Sequence, residues 1–147
     1  MRIPLSDSAD ACSIVFPTEV HISVAGEAWV PLPAALRYDV ADPYAVRLSM
    51  GAPAAPSVDW VFARSLLAEG IHRPTGIGDV VVIPRHRRRP ESVRILFRTR
   101  AGAALLAVHA LVVTDFLRRS EALVPPGTEH HHIDVDRVID RLTAGHE

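Results

Sequence analysis

Two runs of alternating residues in the first half of the chain constrain its fold more than any other feature. The first extends from Tyr44 to Met50 and the second from Val58 to Phe62. A period of two is typical of a strand that buries one face, and Gly51 to Pro56 between them has the composition of a turn. The runs therefore predict an antiparallel hairpin, whose second strand is a core strand because of its aromatic residues. The side chains expected to share its buried face are Tyr44, Val46, Leu48, Met50, Val58, Trp60 and Phe62.

The residues before this hairpin predict two further strands. Cys12 to Val24 alternates near its end, and the turn Ala25-Gly26 follows it. Trp29 to Leu36 also alternates, but it contains Pro31 and Pro33. Because proline cannot donate a ladder hydrogen bond, we expect an edge strand or one that is irregular until Ala34.

The residues after the hairpin predict a short helix and three more strands. Leu66 and Leu67 precede Gly70, which predicts a helix that ends at a glycine in the left-handed conformation. Pro74 to Asp79 has the composition of a loop. Strands are then expected over Val80 to Ile83, Val93 to Phe97 and Ala103 to His109, with the basic segment Pro84 to Pro90 at a hairpin tip between the first two.

Helical periodicity returns near the C-terminal end of the chain. Apolar residues from Val112 to Val124 recur at helical spacing, and Pro125 ends the pattern. A last helix is indicated by Asp134 as its N-cap and by an apolar face from Val135 to Leu142. The predicted class is α+β, with antiparallel hairpins in curved sheets, one short helix and two C-terminal helices.

Composition limits the classes of protein to consider. The 147 residues fit one domain, and we expect a flexible tail over residues 1–10 and a single domain over 11–147. The formal net charge of -1 gives no general attraction to nucleic acid or anionic lipid. Cys12 is the only cysteine, which favours the cytoplasm, and no apolar run is long enough to cross a membrane.

No group of residues predicts catalysis, a cofactor or a metal. His130, His131 and His132 are adjacent, so in an extended segment at most two of them converge. Cys12 has no evident base, and no serine lies in a nucleophile motif. We therefore expect a protein that is not an enzyme.

Two groups of arginines are the candidate partner-binding residues. Arg85, Arg87, Arg88 and Arg89 form the basic hairpin tip, and Arg118 and Arg119 lie on the outer face of the helix that follows the last strand. The tip could bind phosphates or an acidic partner, or it could simply keep a hairpin end hydrated. No aromatic residue interleaves these arginines, which argues against a stacking platform for single-stranded nucleic acid.

Four segments of the chain resemble one known family. Leu36 to Val46, Trp60 to Gly70, Ile71 to Asp79 and Val124 to His130 are similar to the SsgA-like sporulation and cell division proteins of actinobacteria, most of all to their SsgB-like subgroup. With matching lengths between them, these segments cover nearly the whole chain.

The resemblance implies a fold and a role that the residue patterns alone do not give. It implies a whirly-like, barrel-like sandwich of two curved sheets that assembles into small rings, with a trimer as the first expectation. It also implies recruitment of the tubulin-like GTPase FtsZ to sporulation septa, directly or through another SsgA-like protein. The alternatives are a single-stranded nucleic-acid-binding module and a relative that acts in spore-wall remodelling or spore separation.

Overall fold

Antiparallel strands dominate the computed structural model, which describes residues 13–51, 57–84, 91–100 and 102–133. Within these ranges eight strands and two α-helices are present, and a short 3-10 helix, Glu129–His132, follows them. The elements in chain order are β1 Ser13–Val24, β2 Val30–Asp39, β3 Ala45–Met50, β4 Val58–Ala63, α1 Arg64–Gly70, β5 Thr75–Ile77, β6 Val80–Ile83, β7 Ser92–Thr99, β8 Gly102–His109 and α2 Ala110–Leu123. The predicted last helix, which begins at Asp134, lies outside the described residues.

The strands form one sheet, in the order β4-β3-β2-β1-β8-β7-β6-β5. The prediction of two separate sheets is therefore not confirmed. The two four-stranded halves are joined through β1, which pairs with β2 from Ser13 to Ile22 and with β8 from His21 to Val24. Because β1 is 12 residues long, it can pair with both β2 and β8.

The sheet curls, so that its two halves share one core. Trp60 on β4 stacks on Phe97 of β7, with ring centroids 4.2 Å apart, although four strands stand between β4 and β7 in the sheet order. Fully buried side chains from both halves and from both α-helices complete the core, among them Val20, Leu36, Leu48, Leu66, Ile95, Leu106 and Phe116.

Strand β2 is internal, so the edge prediction is wrong for the strand as a whole. Its pairing with β3 extends only from Ala34 to Arg37, while Pro31 and Pro33 pair with β1 alone. The Pro33 carbonyl accepts a hydrogen bond from the Gly51 amide at 3.2 Å, on the β3 side. The amide that proline lacks would point to that same side, so neither proline interrupts the β1–β2 ladder.

Strand β4 is an outer strand of the sheet rather than a central one. Phe62 is buried as predicted, but Val58 and Val61 are each more than half exposed. Tyr44 is also half exposed, because it lies in the turn before β3 and not in the strand. The alternation of Val46, Leu48 and Met50 is confirmed, since all three are buried.

The segment predicted as a loop before β6 contains a strand. Thr75, Gly76 and Ile77 form β5 and pair with Val80, Val81 and Val82. Gly78 in the connecting turn has φ 61°, a conformation that favours glycine. This short hairpin was not predicted from the sequence, because most residues in it are of types that favour turns.

Helix α1 confirms the predicted helix, but Gly70 has a different role from the one predicted. Gly70 is not among the residues with positive φ, and it is buried against β6. A Cβ atom built on Gly70 would overlap the side chain of Val82. Glycine is therefore required by the close approach of the helix to the sheet.

Helix α2 follows β8 without a loop. The His109 side chain caps it by accepting a hydrogen bond from the Leu111 amide at 3.2 Å through Nδ1. The predicted end is confirmed, since the helix stops at Leu123 before Pro125. Phe116 and Leu117 on its apolar face are buried.

Candidate functional site

The arginines predicted on α2 lie at the surface, and each already has a contact. Arg118 donates to Asp115 Oδ1 at 3.1 Å, and both side chains are exposed. The Arg119 guanidinium lies over the Phe16 ring, 5.3 Å from its centroid. Both arginine side chains are exposed, so both charges remain accessible to an acidic partner.

The basic tip itself falls outside the described residues. Arg85, Arg87, Arg88 and Arg89 therefore stay a prediction. The strands on either side are described, and Val80 to Ile83 pairs antiparallel with Arg94 to Phe97. The predicted hairpin between β6 and β7 is thus confirmed, and the arginines belong to the segment between these strands in the chain.

A buried arginine that the sequence pattern did not single out connects four elements. Arg64 begins α1 and is only 3% exposed. Its Nη2 donates to Glu129 Oε2 at 2.9 Å, and its Nη1 donates to the Ser120 carbonyl at 3.0 Å. Its guanidinium also lies 4.9 Å from the centre of the Tyr38 ring on β2. This Arg64 cluster fixes α1, α2, β2 and the 3-10 helix relative to one another.

Electrostatics within the Arg64 cluster favour the ionised pair. The hydrogen bond from Arg64 holds the pKa of Glu129 below its usual value of 4.5. Burial raises the pKa of Tyr38, against the opposing effect of the Arg64 charge, and the Tyr38 hydroxyl donates to the Pro43 carbonyl at 2.8 Å. Arg64 is buried and Glu129 is only partly exposed, which gives the cluster a structural role.

A second basic pair lies on the outer face of the sheet. Arg37 on β2 stands directly opposite Arg47 on β3. Arg47 forms an exposed ion pair with Asp59 at 3.2 Å. Hydrogen bonds from Ser49 and then Arg47 hold the pKa of Asp59 below its usual value. Two like charges opposite each other are unfavourable, and the pairing with Asp59 offsets this repulsion.

A cleft opens where β1 and β8 part. Their pairing covers only His21 to Val24 of β1, and beyond it a cavity of about 610 Å³ lies between β1, β7 and the start of α2. Its size is within the range of ligand-binding pockets. Its lining includes Glu19, His21, Trp29, Glu91, Arg94 and His109.

The histidine cluster forms a 3-10 helix, not the extended segment that was expected. His130 and His131 have ring centroids 4.1 Å apart, and both are exposed. Among the described residues, no group of three or more His, Cys, Asp or Glu side chains is arranged to hold a metal ion. In those same ranges, no helix has both the length and the apolar character needed to cross a membrane.

The fold defines the class of protein first: an α+β chain built on one curled antiparallel sheet. The profile of the family described as "Streptomyces sporulation and cell division protein, SsgA" matches residues 32–129. This protein therefore belongs to the SsgA family, as its sequence segments indicated.

Named relatives cover almost the whole chain. It is 48% identical to the sporulation-specific cell division protein SsgB of Streptomyces coelicolor, over 86% of this chain and 93% of the relative. It is 42% identical to the SsgB protein of Salinispora tropica, over 90% of this chain and 99% of the relative.

Solved structures agree with the fold. One comes from work on SsgB described as "Mutations in SsgB correlate to longitudinal cell division during sporulation of Streptomyces coelicolor". It is 46% identical, with a TM-score of 0.75 over 82% of this chain and 95% of that one. The SsgA-like sporulation-specific cell division protein of Thermobifida fusca is 37% identical, with a TM-score of 0.78 over 88% of this chain and 94% of that one.

Proposed function

We propose that this protein is a non-enzymatic regulator of cell division that recruits or positions FtsZ at sporulation septa. The observation that supports this proposal is the near-complete coverage of relatives named as sporulation-specific cell division proteins, up to 99% of their length. This chain therefore has a counterpart for nearly every region of those relatives.

The Arg64 cluster also supports a binding role, because it holds both helices against the sheet. We propose that the protein forms a small homo-oligomer, with a trimer as the first expectation. Several copies of one weak surface would then act together, since linked sites bind far more strongly than one site alone. The contact with FtsZ is direct, or it passes through another SsgA-like protein.

The partner-binding surface in this proposal consists of the basic tip and the outer face of α2. These residues are Arg85, Arg87, Arg88, Arg89, Arg118 and Arg119. Both groups could attract an acidic surface, and salt would weaken that attraction.

Co-sedimentation with polymerising FtsZ from the same organism tests the proposal. We expect the native protein to pellet with the polymers and to remain there in excess single-stranded DNA. Replacing the four tip arginines with serine should reduce the bound fraction about tenfold, because several exposed charge pairs are lost together. Arg118→Ser with Arg119→Ser should reduce it less, because this variant removes two charges and the tip variant removes four.

Arg98→Ser with Arg100→Ser is the matched control, since both are exposed arginines outside the proposed surface. Full retention of FtsZ binding by the tip variant would remove the tip from the binding surface. Loss of co-pelleting in DNA, together with DNA binding that falls steeply with salt, would favour the nucleic-acid-binding alternative.

A further inference from the structure

The cleft between β1, β7 and α2 is built from side chains that the proposed FtsZ contact does not use. The strand register places His21 opposite Ala107 and Ala107 opposite Arg94. The small Ala107 side chain therefore lies between the larger side chains of His21 and Arg94, which form the two sides of the cleft. The part of the cleft formed by these three residues is thus a consequence of strand pairing.

The next pair of residues on the same face of β8 and β7 also lines the cleft. His109 stands opposite Ser92 on β7, and both line the cavity with Glu19. The His109 ring is fixed, because its Nδ1 accepts the α2 capping hydrogen bond. Trp29 lies in the connection between β1 and β2, and it is 43% exposed although it lines the cavity.

Charge and ring chemistry indicate what would bind in this cleft. The charged lining residues are Glu19, Glu91 and Arg94, so the carboxylates outnumber the guanidinium. Among the described residues, neither glutamate forms a salt bridge. Carboxylates and an exposed indole ring that line one cavity are groups that recognise a guanidinium or ammonium ion, through charge-assisted hydrogen bonds and the cation–π interaction.

We propose that this cleft binds an arginine side chain from a partner protein. With two carboxylates against the single Arg94 guanidinium, the charged lining is negative on balance, which argues against a phosphate backbone and hence against nucleic acid as the occupant. Arginine suits the site better than lysine, because its planar guanidinium can stack on Trp29 while it donates to a carboxylate. The site lies at the start of α2, whereas Arg118 and Arg119 lie in the second half of that helix, and it does not depend on FtsZ being the division partner.

Fluorescence titration of the full chain with a short arginine-containing peptide tests this proposal. The matched probe replaces arginine with citrulline, which has nearly the same shape but no charge. We expect the arginine peptide to change the Trp29 emission and the citrulline peptide to bind about tenfold more weakly or not at all. Trp29→Phe should abolish the spectral change.

Variants of the carboxylates identify the site. Glu19→Gln with Glu91→Gln should weaken binding of the arginine peptide about tenfold without lowering the melting temperature, because both side chains are exposed. Glu69→Gln, an exposed glutamate on α1, is the control and should bind as the native protein does.

Three results would overturn the proposal. The first is equal binding of the arginine and citrulline peptides, and the second is unchanged binding by the Glu19→Gln, Glu91→Gln variant. The third is dissociation of a native oligomer by that variant in sedimentation velocity, which would mean that a second copy of the chain fills the cleft and not a partner protein.

Discussion

At the residue scale, Arg64 shows how a charge can be accommodated in the core of this protein. Burying a guanidinium is unfavourable unless its donors are satisfied and a counter-charge is present. Glu129 supplies the charge and accepts one hydrogen bond, and Ser120 accepts two more through its carbonyl and hydroxyl oxygens. An arginine at the first position of a helix is also unfavourable to the helix dipole, so the tertiary contacts determine its position.

The Arg64–Glu129 pair could not be predicted from the sequence. Arg64 lies within one of the segments shared with the family, but nothing in a linear pattern connects it with Glu129, 65 residues later. The buried positions of β3 were predictable, because apolar and polar residues alternate along it and this alternation indicates which face of the strand is apolar. A single ion pair between distant elements leaves no such periodic signal.

Glu129→Gln should destabilise the protein by about 2–4 kcal/mol, because it leaves the Arg64 charge buried without a counter-charge. Urea unfolding followed by circular dichroism measures the change. Glu69→Gln removes an exposed ion pair with Arg73 and should change stability by less than about 0.5 kcal/mol. Equal effects from the two variants would contradict the structural role of the cluster.

Glu129 should also make the protein sensitive to acid. Because its pKa is lower in the folded protein than its usual value of 4.5, the unfolded chain binds the proton first as pH falls. The contribution of Glu129 is therefore complete above about pH 4.5 and is lost as pH falls through the folded pKa. The unfolding free energy measured across this range should fall less steeply in Glu129→Gln than in the native protein.

At the scale of elements, the sequence predicted most strands but not how closely they pack. The boundaries of β7, β8 and α2 were close to the predictions, because their apolar residues recur regularly. Strand β5 was missed, because Thr75 to Ile77 is short and surrounded by turn residues. Gly70 was assigned to a helix end, but its actual constraint is the Val82 side chain on β6, and that contact has no local signature.

Gly70→Ala should destabilise the protein by about 1–3 kcal/mol, because the added methyl group overlaps Val82 and forces α1 away from the sheet. Thermal unfolding measures the effect. Val82→Gly alone leaves a void and weakens the strand, but the Gly70→Ala, Val82→Gly double variant should be more stable than the sum of the single effects predicts, because the overlapping Val82 Cβ is then absent. Strict additivity would show that the two residues do not share this contact.

At the scale of the whole molecule, hairpins were predictable from neighbouring runs, but the order of the sheet was not. Every strand pairing except one joins neighbours in the chain, and β1 with β8 is that exception among the described strands. Because this pairing joins the two halves, they form one curled sheet and share the Trp60–Phe97 contact. Local periodicity contains no information about which distant strands meet.

Phe97→Leu should destabilise both halves together, by about 1–2 kcal/mol, because it removes the stacking with Trp60 and leaves a small void. In a Trp29→Phe background, Trp60 fluorescence reports on the first half and circular dichroism on the whole sheet. Both signals should shift to the same lower midpoint. Ile77→Ala, at a side chain that is 55% exposed, is the control, and separate midpoints would mean that the halves unfold independently.

The single long-range pairing of β1 has a consequence for how the chain is made. During synthesis β1 leaves the ribosome before the other described strands, yet the edge formed by His21 to Val24 meets its β8 partner only after almost all of the sheet has emerged. Pairing over such a separation is slow, because a long loop must close before the contact forms. Final closure of the sheet is therefore a late event in biogenesis, and until then the nascent chain exposes backbone groups that could pair with another molecule.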